Sequence, residues 1–204
     1  VGQLNFADFG PLSVKQLAAS GGELTKLANH QIQTIVRTSV NQVQNQASQA
    51  VYAANSKVAP KYEYVATLDS KTTPICQRLD GQQFEYNKGP TPPQHFNCRS
   101  TTVPVVDFDG LQEKYPGLEK PPETALDTRP SMTGRVPQGQ AYGDWLLDQK
   151  KELQIKTLGN EQRVRFFKTL AGKKGSSGQK ALRQIIRSDG TEKTLDQIKK
   201  EYKL

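Results

Sequence analysis

The sequence predicts an α+β fold: a long N-terminal helix, a small β-rich Cys/His unit, an extended linker and a C-terminal helical module. Three observations carry that prediction. Apolar residues recur at steps of three and four from Leu24 to Val58, with no Gly or Pro between Glu23 and Ala59, the mark of one helical stripe. Both cysteines, Cys76 and Cys98, and one of the two histidines, His95, fall between Tyr62 and Pro104, in a stretch whose ends have strand-like composition. The net charge of +8 is lopsided, because residues 137–204 hold 15 Lys and Arg against 8 Asp and Glu.

Residues 1–22 read as a leader with a short helix around Leu12 to Ala19 and apolar Leu4, Phe6 and Phe9, closed by Gly21-Gly22. The start at Val1 rather than Met reads as a trimmed or matured product. Residues 23–60 form the long helix, stopped by Pro60 and roughly 50 Å long at 1.5 Å per residue. Its polar face is unusual: between Lys26 and Lys57 the only formal charge is Arg37, and Gln, Asn, Ser and Thr fill the rest. A solvated face normally carries charge, so one reading covers this helix with other chains, including copies of itself. The other is a plain core helix of a small domain.

Residues 61–108 form the β-rich unit. Tyr62 to Leu68 alternates as a strand, Asp80-Gly81 is a turn leading into a second short strand, residues 87–94 are a Gly/Pro loop, and Thr101 to Val106 is a third strand. Residues 109–139 are rich in Pro and Gly and read as an extended linker. Residues 140–204 form a basic helical module. A first helix carries Tyr142, Trp145, Leu146 and Leu153 and ends at Gly159. Asn160 caps a second, with Val164, Phe166, Phe167 and Leu170. After a basic loop from Gly172 to Gly178 come helical turns at Ala181 to Ile186 and a last helix, Leu195 to Tyr202, capped by Thr194.

Composition bounds the function. Apolar residues make up 34 % and mean hydropathy is −0.70, so the core is small and part of the chain is expected to lean on a partner. No apolar run reaches the roughly 18 residues that a membrane span requires. The basic C-terminal third favours polyanionic neighbours, with Lys173, Lys174, Lys180, Arg183 and Arg187 as the residues facing DNA; a solvated helical surface is the plainer reading.

The Cys/His window admits several chemistries. His95 and Cys98, two residues apart within one turn, can hold one metal ion, with Cys76 as third ligand and Asp69 or water as fourth. The ion would be structural zinc. The two close ligand pairs of common structural zinc sites are missing, because Cys76 has no Cys or His two to four residues away. A Cys76–Cys98 disulfide would staple the unit equally well, although cytoplasmic thiols stay reduced. A cysteine nucleophile with His95 as base needs an oriented third member that this Pro-flanked loop does not announce. Buried Cys and His without a metal is the remaining reading. Arg99 is expected to pair with Asp69 or Asp80.

These residues also carry a resemblance. Tyr62-Glu-Tyr-Val-Ala-Thr-Leu-Asp69-Ser-Lys-Thr72-Thr-Pro-Ile-Cys76, Leu79-Asp-Gly81 with Phe84, and Pro92-Pro-Gln-His95-Phe-Asn97-Cys98-Arg99 resemble the signature of the Mu F-like phage head morphogenesis family. The helix around Thr34 to Asn41 and the segments Tyr142 to Gln149, Leu158-Gly159, Asp189-Gly190 and Thr194-Leu195 resemble its flanks, so the likeness runs from about residue 25 to the end. Asp69, Thr72, Cys76, Gly81, His95, Cys98 and Arg99 match the shared pattern. The resemblance implies a non-enzymatic minor head protein of a tailed phage, inside the capsid and at the host cytoplasm during assembly. Its implied partners are the portal protein, the major capsid protein and packaged DNA, which it would contact without reading sequence. The competing expectation is a metal-dependent hydrolase or nuclease built on the Cys/His unit.

Overall fold

A computed structural model describes residues 23–120 and 128–203; the expected leader, residues 1–22, lies outside the described residues. The architecture is the expected α+β one. Helix α1 (Glu23–Ala54) is followed by turns up to Val58. Strand β1 (Lys61–Val65) is the centre of an antiparallel sheet ordered β2-β1-β3, with β2 at Gln83–Glu85 and β3 at Thr101–Val105. In register, Tyr62 lies opposite Phe84 and Pro104, and Tyr64 opposite Thr102. The alternation of β1 puts Tyr62 and Tyr64 inside, where the Tyr62 ring packs against Phe84 and Tyr86.

A short helix, α2 (Pro74–Leu79), precedes the Asp80-Gly81 turn and was not expected from the sequence. Pro74 opens it, where a missing N–H costs nothing. The segment expected to be an extended linker contains ordered elements among its described residues. Helix α3 (Phe108–Lys114) is capped by Asp107, which accepts from the Gly110 N–H. Strands β4 (Thr128–Ser131) and β5 (Gly134–Pro137) form a hairpin that docks on the β-rich unit through the Met132 N–H and Leu68 carbonyl. Its Gly134, at φ 126°, shows how linker-like composition also serves a tight turn.

The C-terminal helices are α4 (Tyr142–Leu147), α5 (Lys151–Leu158), α6 (Glu161–Ala171), α7 (Gly178–Ile185) and α8 (Leu195–Tyr202). The single helix expected from Gln140 to Leu158 is two. The buried Gln154 explains the break, because its Nε2 donates to the Leu146 and Leu147 carbonyls freed at the end of α4. Gly159 at φ 86°, the Asn160 cap and the Thr194 cap occur where the sequence put them, and Gln197 completes a capping box with Thr194. Trp145, Phe167, Leu170, Leu182 and Ile185 lie in one core that also takes in Leu68 from the β-rich unit. The α4 and α7 backbones touch at Gly143 and Gly178, where a Cβ on either would strike the other.

Helix α1 reverses the usual logic of an amphipathic helix. Among its described side chains the buried ones are polar, Thr38 and Asn45, while Ile32, Val36, Val40, Val43 and Val51 are all more than half exposed. The uncharged polar face bonds to its own chain. Asn41 Nδ2 donates to the Ser100 carbonyl (3.1 Å), Gln49 Nε2 to Thr102 Oγ1 (2.9 Å), and Thr38 Oγ1 receives the Asn97 N–H (3.1 Å). That explains why the face carries almost no charge: it is not the solvated one.

Candidate functional site

The site begins with two short pieces of backbone. Helix α2 carries Cys76 into the interior. The turn from His95 to Cys98, closed by the Cys98 N–H on the His95 carbonyl (3.2 Å) with Asn97 at φ 54°, brings the second thiol in from the other side. Helix α1 holds this turn through Thr38 and Thr34. Both cysteines are buried free thiols with Sγ atoms 3.8 Å apart, and one ligand atom from each of Cys76, His95 and Cys98 lies within 4.8 Å of the others.

Hydrogen-bond donors surround the sulfurs. The Tyr64 hydroxyl lies 3.2 Å from Cys76 Sγ. The Cys98 thiol is pulled down by its hydrogen bond with Cys76, against burial, and further by His95 and the backbone of Gln94 and Ser100. Its hydrogen bond to Cys98 raises His95, and the same Cys76–Cys98 contact, with burial, raises Cys76. Cys98 therefore ionises first of the two. With Nδ1 donating to the Phe96 carbonyl (2.8 Å), the neutral form of His95 carries its lone pair on Nε2.

Asp69 is not at this centre, which corrects its reading as a fourth ligand. Arg99 clamps it with two bonds (2.5 and 2.9 Å), and its Oδ1 also accepts from the Lys71 and Thr72 N–H groups. Its carboxyl is committed to closing a loop. Burial raises its pKa, but the Arg99 hydrogen bond leads the effects that bring it below 3.8. Thr72 reinforces the loop by donating to the Thr67 carbonyl (2.6 Å). Gly81, at φ 70°, makes the turn that returns its N–H to the Tyr64 carbonyl.

The feature the sequence hid is the neighbouring carboxylate. Asp80 is fully buried and accepts from the Ala66 N–H (2.6 Å), the Tyr142 N–H (2.7 Å) and both terminal nitrogens of Arg129 (3.1 and 2.9 Å). It thus ties the residue that follows β1, strand β4 and helix α4 together. Arg99 takes Asp69 and leaves Asp80 to Arg129, a residue inside the presumed linker. Around the same turn, Gln179 donates to the Gln77 and Asp80 carbonyls and Arg78 to the Ile186 carbonyl.

The basic candidates divide. Lys173, Lys174 and Lys180 are exposed. Arg183 turns inward to the Arg78 and Asp80 carbonyls, and Arg187 braces Thr191, Glu192 and Gln197. Those two arginines hold structure, which corrects their reading as DNA-facing.

The family comparison falls on the same region. Residues 12–103 match the family model described as Phage Mu protein F like protein. This stretch is Mu F-like. It contains α1, β1, β2, the first residues of β3 and every member of the Cys/His cluster. The match begins earlier than the likeness read from the residues, which left residues 1–22 uncovered. It also stops before the helical module, to which that likeness extended. No curated protein and no solved structure matches the chain.

Proposed function

We propose that the chain is a structural, non-enzymatic protein of a tailed-phage head, acting in head assembly and in genome packaging and ejection. The Mu F-like match over residues 12–103 carries this reading. Within it the chain sits inside the capsid against the portal protein, near the major capsid protein and the packaged DNA, after assembly in the host cytoplasm. Two surfaces support such contacts. Val36, Val40, Val43, Ala47, Ala50 and Ala54 are exposed at alternating steps of four and three, the spacing that seats one helix on another. That seam suits a portal helix or a second copy of α1. The exposed Lys173, Lys174 and Lys180 suit phosphate contacts that do not read sequence. No helix among the described residues is long and apolar enough to cross a membrane.

The test is composition of purified particles of the phage that encodes the chain. A few copies per head, co-purifying with the portal and lost with the paired change Val40→Asp and Val43→Asp, is the expected result. Absence of the chain from finished heads overturns the reading. The competing enzyme, a metal-dependent hydrolase or nuclease, is disfavoured by the commitment of Asp69 to Arg99 and the burial of both thiols. Metal-dependent DNA cleavage by the purified chain, abolished in Cys98→Ala, would reinstate it.

A further inference from the structure

We propose that Cys76, His95 and Cys98 together bind one zinc ion, which staples helix α2 to the turn that leads into β3. The proposal stands on side-chain geometry and does not depend on the head-protein reading. Two sulfurs bound to one tetrahedral zinc at about 2.3 Å each lie about 3.8 Å apart, and the Cys76 and Cys98 Sγ atoms are 3.8 Å apart. His95 supplies a third donor within 4.8 Å of both. Its Nδ1 bond to the Phe96 carbonyl is the outer contact that commonly fixes a metal-binding imidazole, and the Tyr64 hydroxyl beside Cys76 Sγ is the corresponding contact for a thiolate.

Donor type selects the ion. Two thiolates and an imidazole favour zinc over the oxygen-seeking Mg²⁺ and Ca²⁺. Two thiolates also cancel the ion's charge, so the complex enters a buried site without a net charge to desolvate. Binding releases the thiol protons still present, so affinity falls as pH drops. Among the described residues no further Cys, His, Asp or Glu joins the group. A water therefore completes the tetrahedron on the side of His95, the one ligand of the three that is not buried.

The local core needs such a staple. The buried cluster around the site consists of Tyr64, Ala66, Leu79 and the two cysteines themselves. So small an apolar core holds a β-rich unit poorly without a cross-link.

The experiment uses the full chain purified under a thiol reductant. Elemental analysis is expected to give one zinc per chain. Cobalt substituted for it is expected to show thiolate-to-metal charge-transfer bands and tetrahedral d–d bands. Stripping the metal with a chelator should lower Tm by about 5–10 °C, restored by added zinc. His95→Gln, a change at the partly exposed ligand, should keep the fold and bind zinc more than about 100-fold more weakly, beyond the loss usual for an outer contact. Because Cys98 is itself part of the buried cluster, thiol alkylation of the unmutated chain gives a second readout that does not depend on a cysteine variant folding. Zinc should protect both cysteines, and the chelator should expose them. A metal-free chain whose thiols alkylate at the same rate with and without zinc overturns the proposal, as does a Cys76–Cys98 disulfide that persists when zinc is supplied.

Discussion

At the residue scale, two carboxylates with similar sequence surroundings have different tasks. Asp80 is sealed with Arg129, whose side chain is only 7 % exposed. Truncating one member of a buried pair leaves the other charge uncompensated, so Arg129→Ala should cost about 3–5 kcal/mol in urea unfolding. Replacing both by apolar residues of similar size should recover much of that loss. Asp69 reports on pH instead. Its folded pKa lies below the ordinary 3.8, so its contribution is complete above about pH 5 and disappears as pH falls through the folded value. A pH series of thermal melts should therefore show Asp69→Asn flatter than the parent below about pH 4. The Asp69–Arg99 pair was legible because both belong to one recognisable motif. The Asp80–Arg129 pair was not, because its partners lie 49 residues apart and composition disguised the second as linker.

At the element scale, caps and breaks were legible and faces were not. Gly159, Asn160 and Thr194 mark ends by local chemistry that any stretch of sequence displays. Which face of α1 would be buried depends on what it meets, and periodicity locates the apolar stripe without saying what covers it. The structure buries Thr38 and Asn45 instead. Aspartate at Val40 or Val43 should thus shift the stability of the isolated chain by no more than about 0.5 kcal/mol each in denaturant titration, while removing the surface offered to neighbours. Helix α2 escaped notice because a single turn and a half opened by Pro74 has too few residues for a period to show. The α4–α7 crossing is the opposite case of a tight requirement. Gly178→Ala places a methyl group against the Gly143 carbonyl and should destabilise by about 1–3 kcal/mol or more, the usual cost of overpacking, read from the same titration.

At the scale of the whole molecule, charge asymmetry was correctly located by counting but not resolved into roles. Of the five basic residues singled out, three face water and two support the chain's own backbone. If DNA is held by Lys173, Lys174 and Lys180, changing all three to Gln should reduce the salt slope of duplex binding by about 2.7, at roughly 0.9 per phosphate contact. Arg183→Gln should instead lower thermal stability and leave that slope nearly unchanged. The boundary between a β-rich unit and a helical module also dissolves at this scale, since Leu68 belongs to the helical core and Asp80 bonds to the Tyr142 N–H. Pattern reading divides a chain where its composition changes. Long-range hydrogen bonds need not respect that division.

The outward stripe of α1 has a thermal consequence. Apolar association weakens on cooling, whereas the bonds from Asn41 and Gln49 to the residues around Thr102 are polar. Assembly through the stripe should accordingly loosen in the cold while α1 stays seated on its own chain. On the role proposed above, heads chilled before disruption should release the protein more readily than warm ones, and release it folded.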